Sequence, residues 1–343
     1  MASLGVLDLL ELPLVVAPMG GGPTTVDLVV ATSGAGALAM LAAGYKSAVA
    51  MSADIAAVRA AMSRPFGVNV FVPGDPYPDR PAIESYLETL GGDAAAVGAA
   101  LGEPRWDDDA FDDKVEALLA DPVPMVSFTF GCPIPKVIDA FRSAGTAVVV
   151  TVTNPSEAQR AEAAGADALC VQGPEAGAHR GTFTNHIDAT DDRSLLALIA
   201  DIAAVSSLPQ IAAGGIMGST QVDAVLATGA VAAQCGTAFL RCPESGASAE
   251  HKAALADPRY SATAVTRAFS GRPARGLVNQ FMIDHPDAPA AYPEINNATR
   301  PLRAAAASGH DAQRMSLWAG EGYRAATEQP AAKIVEDLCG HLR

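Results

Sequence analysis

The chain has 343 residues, half of them hydrophobic, and a formal net charge of −15 at pH 7. This length is ample for a large core, and it suits a single α/β barrel with appendages. Nucleic-acid binding is disfavoured, because phosphate contacts need clustered lysines and arginines and no such run occurs. We therefore expect a small-molecule partner and no nucleic acid.

The cysteines indicate a reducing compartment. They are Cys132, Cys170, Cys235, Cys242 and Cys339. None belongs to a Cys-x-x-Cys pair, and an odd count fits no disulfide framework, so we expect a cytoplasmic protein. The N-terminus lacks the basic segment of a signal peptide. The uncharged run 28–45 contains serine and glycine, and we interpret it as helix end, turn and strand rather than as a membrane span.

Short apolar runs predict the strands. In chain order they are LPLVVAPM (12–19), GALAMLAAG (36–44), PFGVNVFVP (65–73), PMVSFTF (124–130), TAVVVTV (146–152), ADALCVQ and its following glycine (166–173), PQIAAGG (209–215) and AVAAQCGTAF (230–239). Each run is almost continuously apolar rather than alternating. That pattern is typical of parallel strands whose two faces are both covered.

Alanine-rich amphipathic segments lie between these runs and predict helices. Asn154 and Pro155 begin one helix, and Ser219 begins another, each followed by a closing glycine. Eight strand–helix alternations predict a (β/α)8 TIM barrel, and a doubly wound sheet is the competing α/β architecture. The polar motifs at the ends of the strands favour the barrel.

Two regions interrupt the repeat. Residues 74–110 form a long connection after the third strand, and we expect a short helix around Ile83–Leu90 that covers the site. Residues 246–312 are predicted to form a smaller helical substrate lid near the C-terminus. The barrel would then comprise residues 1–245 and be completed by about 313–343, with a final helix over Ala331–Leu342.

Glycine turns after the seventh and eighth strands predict a phosphate site. Gly214 and Gly215 end the seventh strand, and Gly236 and Thr237 follow the eighth. Phosphate sites of TIM barrels commonly lie after these two strands, where backbone amides and a helix N-terminus face the anion. The alternative is that the glycines only make tight turns.

Amide side chains at other strand ends indicate a larger ligand. Asn69 and Gln172 offer donors and acceptors that suit the edge of a flavin ring, and Gly177 and the glycines 20–22 allow a flat ring to approach the backbone. FMN satisfies both the phosphate site and the ring site. A Gly-x-Gly-x-x-Ala stretch at 34–39 follows a predicted helix and begins a strand, which disfavours a dinucleotide fold.

His179 follows the sixth strand and is the candidate catalytic residue. A neutral imidazole at the barrel mouth could accept a proton or hydrogen-bond an anionic substrate, although a histidine that only caps a loop is the alternative. A metal site with His186 and Asp188 is disfavoured, because the spacing matches no usual ligand pair. Glu175 and Arg180 are expected to form an ion pair that shapes the loop.

Taken together, these motifs resemble the nitronate monooxygenase family, formerly called 2-nitropropane dioxygenases, in particular its bacterial type. The similar stretches are APMGGGPTT, FGVNVF, VSFTFG, QGPEAGAHRG, AAGGI, QCGTAFL, SGRPARGLVN and LWAGEGY. They occur in the family's order over nearly the whole chain. Only the Glu-Ala-Gly-x-His-Arg-Gly piece is specific by itself.

The resemblance implies an FMN-dependent barrel with a helical lid and His179 as its active-site histidine. The expected cofactor-binding residues are Pro18, Met19, Gly20, Asn69, Gln172, Gly177, Gly214, Gly215, Gln234, Cys235, Gly236 and Thr237. The implied reaction oxidises an alkyl nitronate of the propionate 3-nitronate type with O2, giving a carbonyl compound and nitrite. It is a detoxification, carried out with no membrane partner and in a possible homodimer.

Two further functions stay open on the sequence alone. One is an FMN-dependent NAD(P)H oxidoreductase that reduces a quinone or an enoyl thioester. The other is a flavin-binding barrel without catalysis, for which Thr129 is the support because it replaces a histidine usual in bacterial members. Ala178 replaces a usual glycine and Glu321 a usual glutamine. Tyr292 and Tyr323 are candidates for the lid tyrosines of the bacterial type.

Overall fold

The computed structural model describes residues 5–185 and 192–342. Eight parallel strands form a closed barrel, so the predicted (β/α)8 TIM barrel is confirmed. The barrel strands are β1 (Leu14–Val16), β2 (Leu38–Ala42), β3 (Phe66–Phe71), β4 (Met125–Thr129), β5 (Ala147–Val152), β6 (Ala168–Gln172), β8 (Gln210–Ala213) and β9 (Ala232–Cys235). Each one lies within a predicted apolar run.

Helices surround this barrel and continue into the regions that cover it. They are α1 (Val26–Gly34), α2 (Ala48–Ala61), α3 (Arg80–Thr89), α4 (Gly91–Ala96), α5 (Phe111–Ala120), α6 (Pro135–Ser143), α7 (Pro155–Ala163), α8 (Leu195–Ala203), α9 (Ser219–Ala227), α10 (Ala249–Ala256), α11 (Gln280–Asp284), α12 (Glu294–Ser308) and α13 (Ala331–Cys339). Asn154 caps α7 as predicted, since its side chain accepts a hydrogen bond from the amide of Glu157. In the described part of the chain, no helix is long and apolar enough to cross a membrane.

The strands are apolar along their whole length because each faces two cores. Val15 of β1 packs inside the barrel with Met40 and Val149, whereas its neighbours Leu14 and Val16 pack against the outer helices. Successive side chains of a strand point to opposite faces, so both halves of the alternation must be hydrophobic.

The region over the barrel mouth combines helices with a small sheet. Helices α10, α11 and α12 belong to the predicted lid, but β10 (Thr263–Thr266) and β11 (Ala274–Leu277) were not predicted. Strand β11 pairs with β10 and with β7 (Ala178–His179), which follows the sixth barrel strand. The lid is therefore not purely helical. These strands were missed in the sequence because a two-residue strand and its distant partner leave no periodic signal there.

The connection 74–110 also belongs to this cover. It contains the predicted helix, seen as α3, and Ile83 and Tyr86 of that helix pack with Phe269, Phe281 and Ile295. These apolar contacts join the connection after β3 to the lid rather than to the barrel core. The division into a barrel and a 246–312 lid domain stays a prediction.

Candidate active site

A cavity of about 530 Å³ lies where the barrel strands end, beneath the lid. Its volume is in the range of cofactor and substrate sites, and its position is that of TIM-barrel active sites. The predicted site residues that line it are Pro18, Met19, Gly20, Asn69, Gln172, Gly177, His179, Gly214, Gly215, Gln234, Gly236 and Thr237. Residues from distant parts of the chain thus converge as the sequence predicts.

Cys235 does not join them through its side chain. It is 1% exposed and packs in the core between the barrel and the outer helices. Burial raises the pKa of its thiol. The preceding Gln234 faces the cavity, and the alternation of a strand sends the next side chain to the opposite face. Cofactor binding by Cys235 stays a prediction, and its backbone is the part of the residue that it concerns.

The ends of β8 and β9 present backbone to the cavity. Gly214 and Gly215 have φ angles of 131° and 67°, which glycine adopts without strain. A Cβ added to Gly215 would lie 3.0 Å from the Cβ of Glu175. Thr237 Oγ1 accepts a hydrogen bond of 3.0 Å from the amide of Gly320, which leaves its own hydroxyl hydrogen available. Bare backbone and a free hydroxyl suit an anionic group.

The amide side chains of Asn69 and Gln172 differ in how many of their hydrogen-bonding groups already have a partner in the protein. Asn69 donates its Nδ2 to the hydroxyls of Ser127 and Thr129, each at 2.9 Å, so the carbonyl oxygen stays available for a ligand. Gln172 is used by its own loop: its Nε2 donates to the carbonyl of His179 at 3.0 Å, and its Oε1 accepts from the amide of Gly181 at 2.7 Å. Gln172 therefore fixes the histidine's backbone as well as lining the cavity.

Thr129 belongs to the group of polar side chains around Asn69 that lines the cavity. Its hydroxyl accepts from Asn69 and lies 3.2 Å from the hydroxyl of Thr151. The histidine that the family resemblance led us to expect at this position would replace that small hydroxyl by a ring. The threonine thus orients Asn69 instead of supplying an imidazole.

His179 stands on β7 under the lid, among aromatic rings. The ring centroids of Phe130, Tyr292 and Trp318 lie 5.8, 5.6 and 5.6 Å from its own. Its Nε2 lies 2.9 Å from the hydroxyl of Ser270. Burial, and to a smaller extent two nearby arginines, lowers the pKa of His179 to about 3. The imidazole is therefore neutral near pH 7 and can exchange hydrogen bonds with an anion.

Ala178 occupies a strained backbone position. Its φ is 63°, in the left-handed region that glycine adopts freely and alanine adopts at a cost. Ala178 is itself the residue of β7 that pairs with Arg275 of β11. The preceding Gly177 approaches Gly320 so closely that a Cβ would lie 2.5 Å from its nitrogen.

The expected ion pair between Glu175 and Arg180 is wrong. Oε1 of Glu175 accepts instead from the amide of Leu195 at 3.0 Å, at the start of α8. The guanidinium of Arg180 donates to the carbonyls of Gln172 and Thr153. Both residues still shape the loop, but through backbone groups.

The sequence missed the residues that the lid brings into the cavity. Helix α12 contributes Asn296, Arg300 and Arg303, and α10 contributes His251, whose Nε2 lies 3.0 Å from the carbonyl of Trp318. The spacing of 296, 300, 303 and 307 along one helix face was the signal that could have found the arginines. Of the two lid tyrosines considered, Tyr292 contacts His179, whereas Tyr323 donates to the carbonyl of Tyr260 elsewhere.

The alternative metal site cannot be compared in full, because His186 and Asp188 lie outside the described residues. Among residues 5–185 and 192–342, no group of three or more histidine, cysteine or acidic side chains is placed to hold a metal ion.

A closed parallel barrel with one large cavity at its strand ends defines a TIM-barrel enzyme. The sequence model described as nitronate monooxygenase matches residues 6–341. The chain belongs to the nitronate monooxygenase family, as the motifs predict.

Individual relatives agree with this membership. The chain is 39% identical to the nitronate monooxygenase of Pseudomonas aeruginosa over 97% of both proteins, and 35% identical to a probable nitronate monooxygenase of Bacillus subtilis over 95% of both. A solved structure of nitroalkane oxidase from Streptomyces ansochromogenes is 50% identical, with a TM-score of 0.92 over 96% of this chain and 95% of that one. FabK of Thermotoga maritima is 27% identical, with a TM-score of 0.72 over 97% and 94%.

Proposed function

We propose that this enzyme binds FMN at the barrel mouth and oxidises alkyl nitronates of the propionate 3-nitronate type with O2, to a carbonyl compound and nitrite. The observation that carries the proposal is the convergence of a phosphate-type backbone site, an amide floor and a neutral histidine on one cavity. Family membership and the likeness to nitroalkane oxidase support the same reaction class. We also propose that it acts in the cytoplasm, since its five cysteines are free.

The described residues fit FMN in their chemistry. Gly214, Gly215, Gly236 and Thr237 would hold the phosphate, because bare amides and a free hydroxyl face the cavity there. The available Oδ1 of Asn69 would accept from the ring edge. When bound, FMN supplies the electron transfer of the reaction.

His179 would orient the nitronate. A group whose pKa lies near 3 is a weak base near pH 7, so hydrogen bonding to the anion accounts for its position better than proton abstraction. Its hydrogen bond with Ser270 fixes the ring, and the surrounding aromatic rings exclude water from one side.

Purified protein tests both parts of this proposal. Bound FMN should appear in the absorption spectrum, and O2 consumption should accompany nitrite release when propionate 3-nitronate is added. His179→Asn should retain FMN and lose kcat/KM. A protein that takes up no FMN contradicts the cofactor, and full activity in His179→Asn contradicts the role of the histidine.

The likeness to FabK supports a second candidate, an FMN-dependent NAD(P)H oxidoreductase acting on a quinone or an enoyl thioester. Anaerobic addition of NADH or NADPH separates the two. Rapid bleaching of the flavin would favour the reductase, whereas unchanged absorbance would favour nitronate oxidation.

A further inference from the structure

One face of α12 lines the cavity over three turns. The residues on this face are Asn296, Arg300, Arg303, Ala304 and Ala307, which recur at the spacing of a helix. The first part of the face is polar and cationic, and the last part carries only methyl groups. The cavity therefore meets a positive group at one end of this helix and an apolar wall at the other.

Arg303 is held in place without an acidic partner. Its Nε donates to the hydroxyl of Thr299 at 3.2 Å, and its Nη2 donates to the carbonyl and side-chain oxygens of Asn296, both at 2.9 Å. Its Nη1 has no hydrogen-bond partner within the part of the chain that the structure describes. Burial lowers the pKa of Arg303 only to about 10, so the group is charged near pH 7.

The charge of Arg303 is not neutralised by the cavity. Of the described residues that line it, none is an aspartate or a glutamate. This is notable in a chain whose net charge is −15. Arg303 is partly buried, and a partly buried cation without a counter-ion favours a bound anion.

A second arginine, Arg272, does not belong to the cavity lining. Arg272 donates to the carbonyls of Arg180 and Thr182, and its guanidinium lies 4.0 Å from the centroid of the Phe130 ring. Both arginines lower the pKa of His179, and Arg303 lines the same cavity as the histidine. Arg303 is thus the one of these two that lines the same cavity as His179.

We propose that Arg303 binds a carboxylate carried by the nitronate substrate, and so selects nitronates of short carboxylic acids over plain alkyl nitronates. The planar guanidinium suits a carboxylate, and its other donors are already fixed by Thr299 and Asn296. The inference rests on the proposed function. It assigns recognition of the substrate's carboxylate, its second negative charge besides the nitronate group, to Arg303.

Two substrates that differ only in that charge test it. Propionate 3-nitronate and propyl 1-nitronate have the same carbon count, with a carboxylate in place of a methyl group. In the FMN-loaded enzyme, Arg303→Ala should lower the ratio of their kcat/KM values by roughly 10- to 100-fold, as expected for loss of a charge-assisted hydrogen bond. Arg303→Lys should recover part of the ratio, because it keeps the charge.

The ratio of the two kcat/KM values distinguishes a loss of carboxylate recognition from damage to the lid, because damage to the lid would lower kcat/KM for both substrates together. Arg259→Ala, an 84% exposed arginine of the same region, is the control and should leave the ratio unchanged. An unchanged ratio in Arg303→Ala, an equal loss on both substrates, or no recovery in Arg303→Lys would overturn the proposal.

Binding provides a readout that needs no turnover. Calorimetric titration with 3-nitropropionate and with 1-nitropropane should show that Arg303→Ala loses affinity for the first compound only. If the parent enzyme oxidised neither nitronate, the proposed function would fail, whereas this titration would still decide the carboxylate site. Equal affinities of parent and Arg303→Ala for 3-nitropropionate would refute it.

Discussion

Replacing Ala178 with glycine should stabilise the protein. The left-handed φ of 63° costs an alanine about 1–2 kcal/mol, and glycine removes that cost. Glycine also gains about 0.4–1 kcal/mol of freedom in the unfolded chain, which opposes the effect. The difference leaves a net stabilisation of about 0.5–1 kcal/mol.

Thermal unfolding measures this change. With an unfolding entropy of about 2.1 cal/mol/K per residue, a chain of 343 residues shifts its Tm by about 1.4 °C for each kcal/mol. We therefore expect Ala178→Gly to raise the Tm by roughly 1 °C. The matched control is Ala53→Gly at an exposed position inside α2, which should lower the Tm by a similar amount because the helix there favours alanine.

The opposite signs make the comparison decisive, since both variants lose the same methyl group. A Tm that falls in Ala178→Gly as it does in Ala53→Gly would refute the reasoning from backbone strain. Reading the FMN content of both proteins in the same experiment ensures that cofactor loss is not mistaken for a loss of stability.

Three further outcomes are expected. Gly215→Val should weaken FMN binding strongly, because φ is 67° and a Cβ there meets Glu175; FMN retained after gel filtration measures it, and full retention would contradict the phosphate site. Ser270→Ala should lower kcat about 3- to 10-fold at equal FMN content, since it removes the hydrogen bond that fixes the imidazole, and unchanged kinetics would contradict that positioning. The depressed pKa of His179 means that the unfolded chain binds more protons below pH 6.5, so stability is fully present above that pH and falls towards pH 3, by at most about 1.4 kcal/mol per pH unit. The slope of Tm against pH between 6.5 and 4 should be shallower in His179→Asn, and parallel slopes would count against a buried neutral histidine.

The barrel was predictable because its signals are local. Each strand is a short apolar run. Gly214 and Gly215 mark a turn after the seventh barrel strand, where TIM barrels commonly bind phosphate. It was harder to predict from the sequence whether the side chain of a strand residue points into the barrel or towards the outer helices. Cys235 shares a motif with Gln234 and Gly236, yet only the pairing of β9 with its neighbours decides that its side chain points outwards.

The contribution of the lid could not be predicted in the same way. Arg303 reaches the cavity because α12 crosses the barrel mouth, and nothing near it in the chain belongs to the barrel. The partner of His179 on the neighbouring strand is Ala274, far along the sequence. Long-range pairings of this kind depend on the folded topology and leave no periodicity to detect.

The pairing of β7 with β11 has a mechanical consequence. His179 lies on β7, which is paired with β11 of the lid and followed by the hydrogen bond from the Arg180 amide to the carbonyl of Pro273, and its imidazole is hydrogen-bonded to Ser270 in the turn before β11. Any displacement of the lid that admits a substrate must therefore either carry the imidazole with it or break these hydrogen bonds. The position of the imidazole is consequently tied to the position of the segment that covers the cavity.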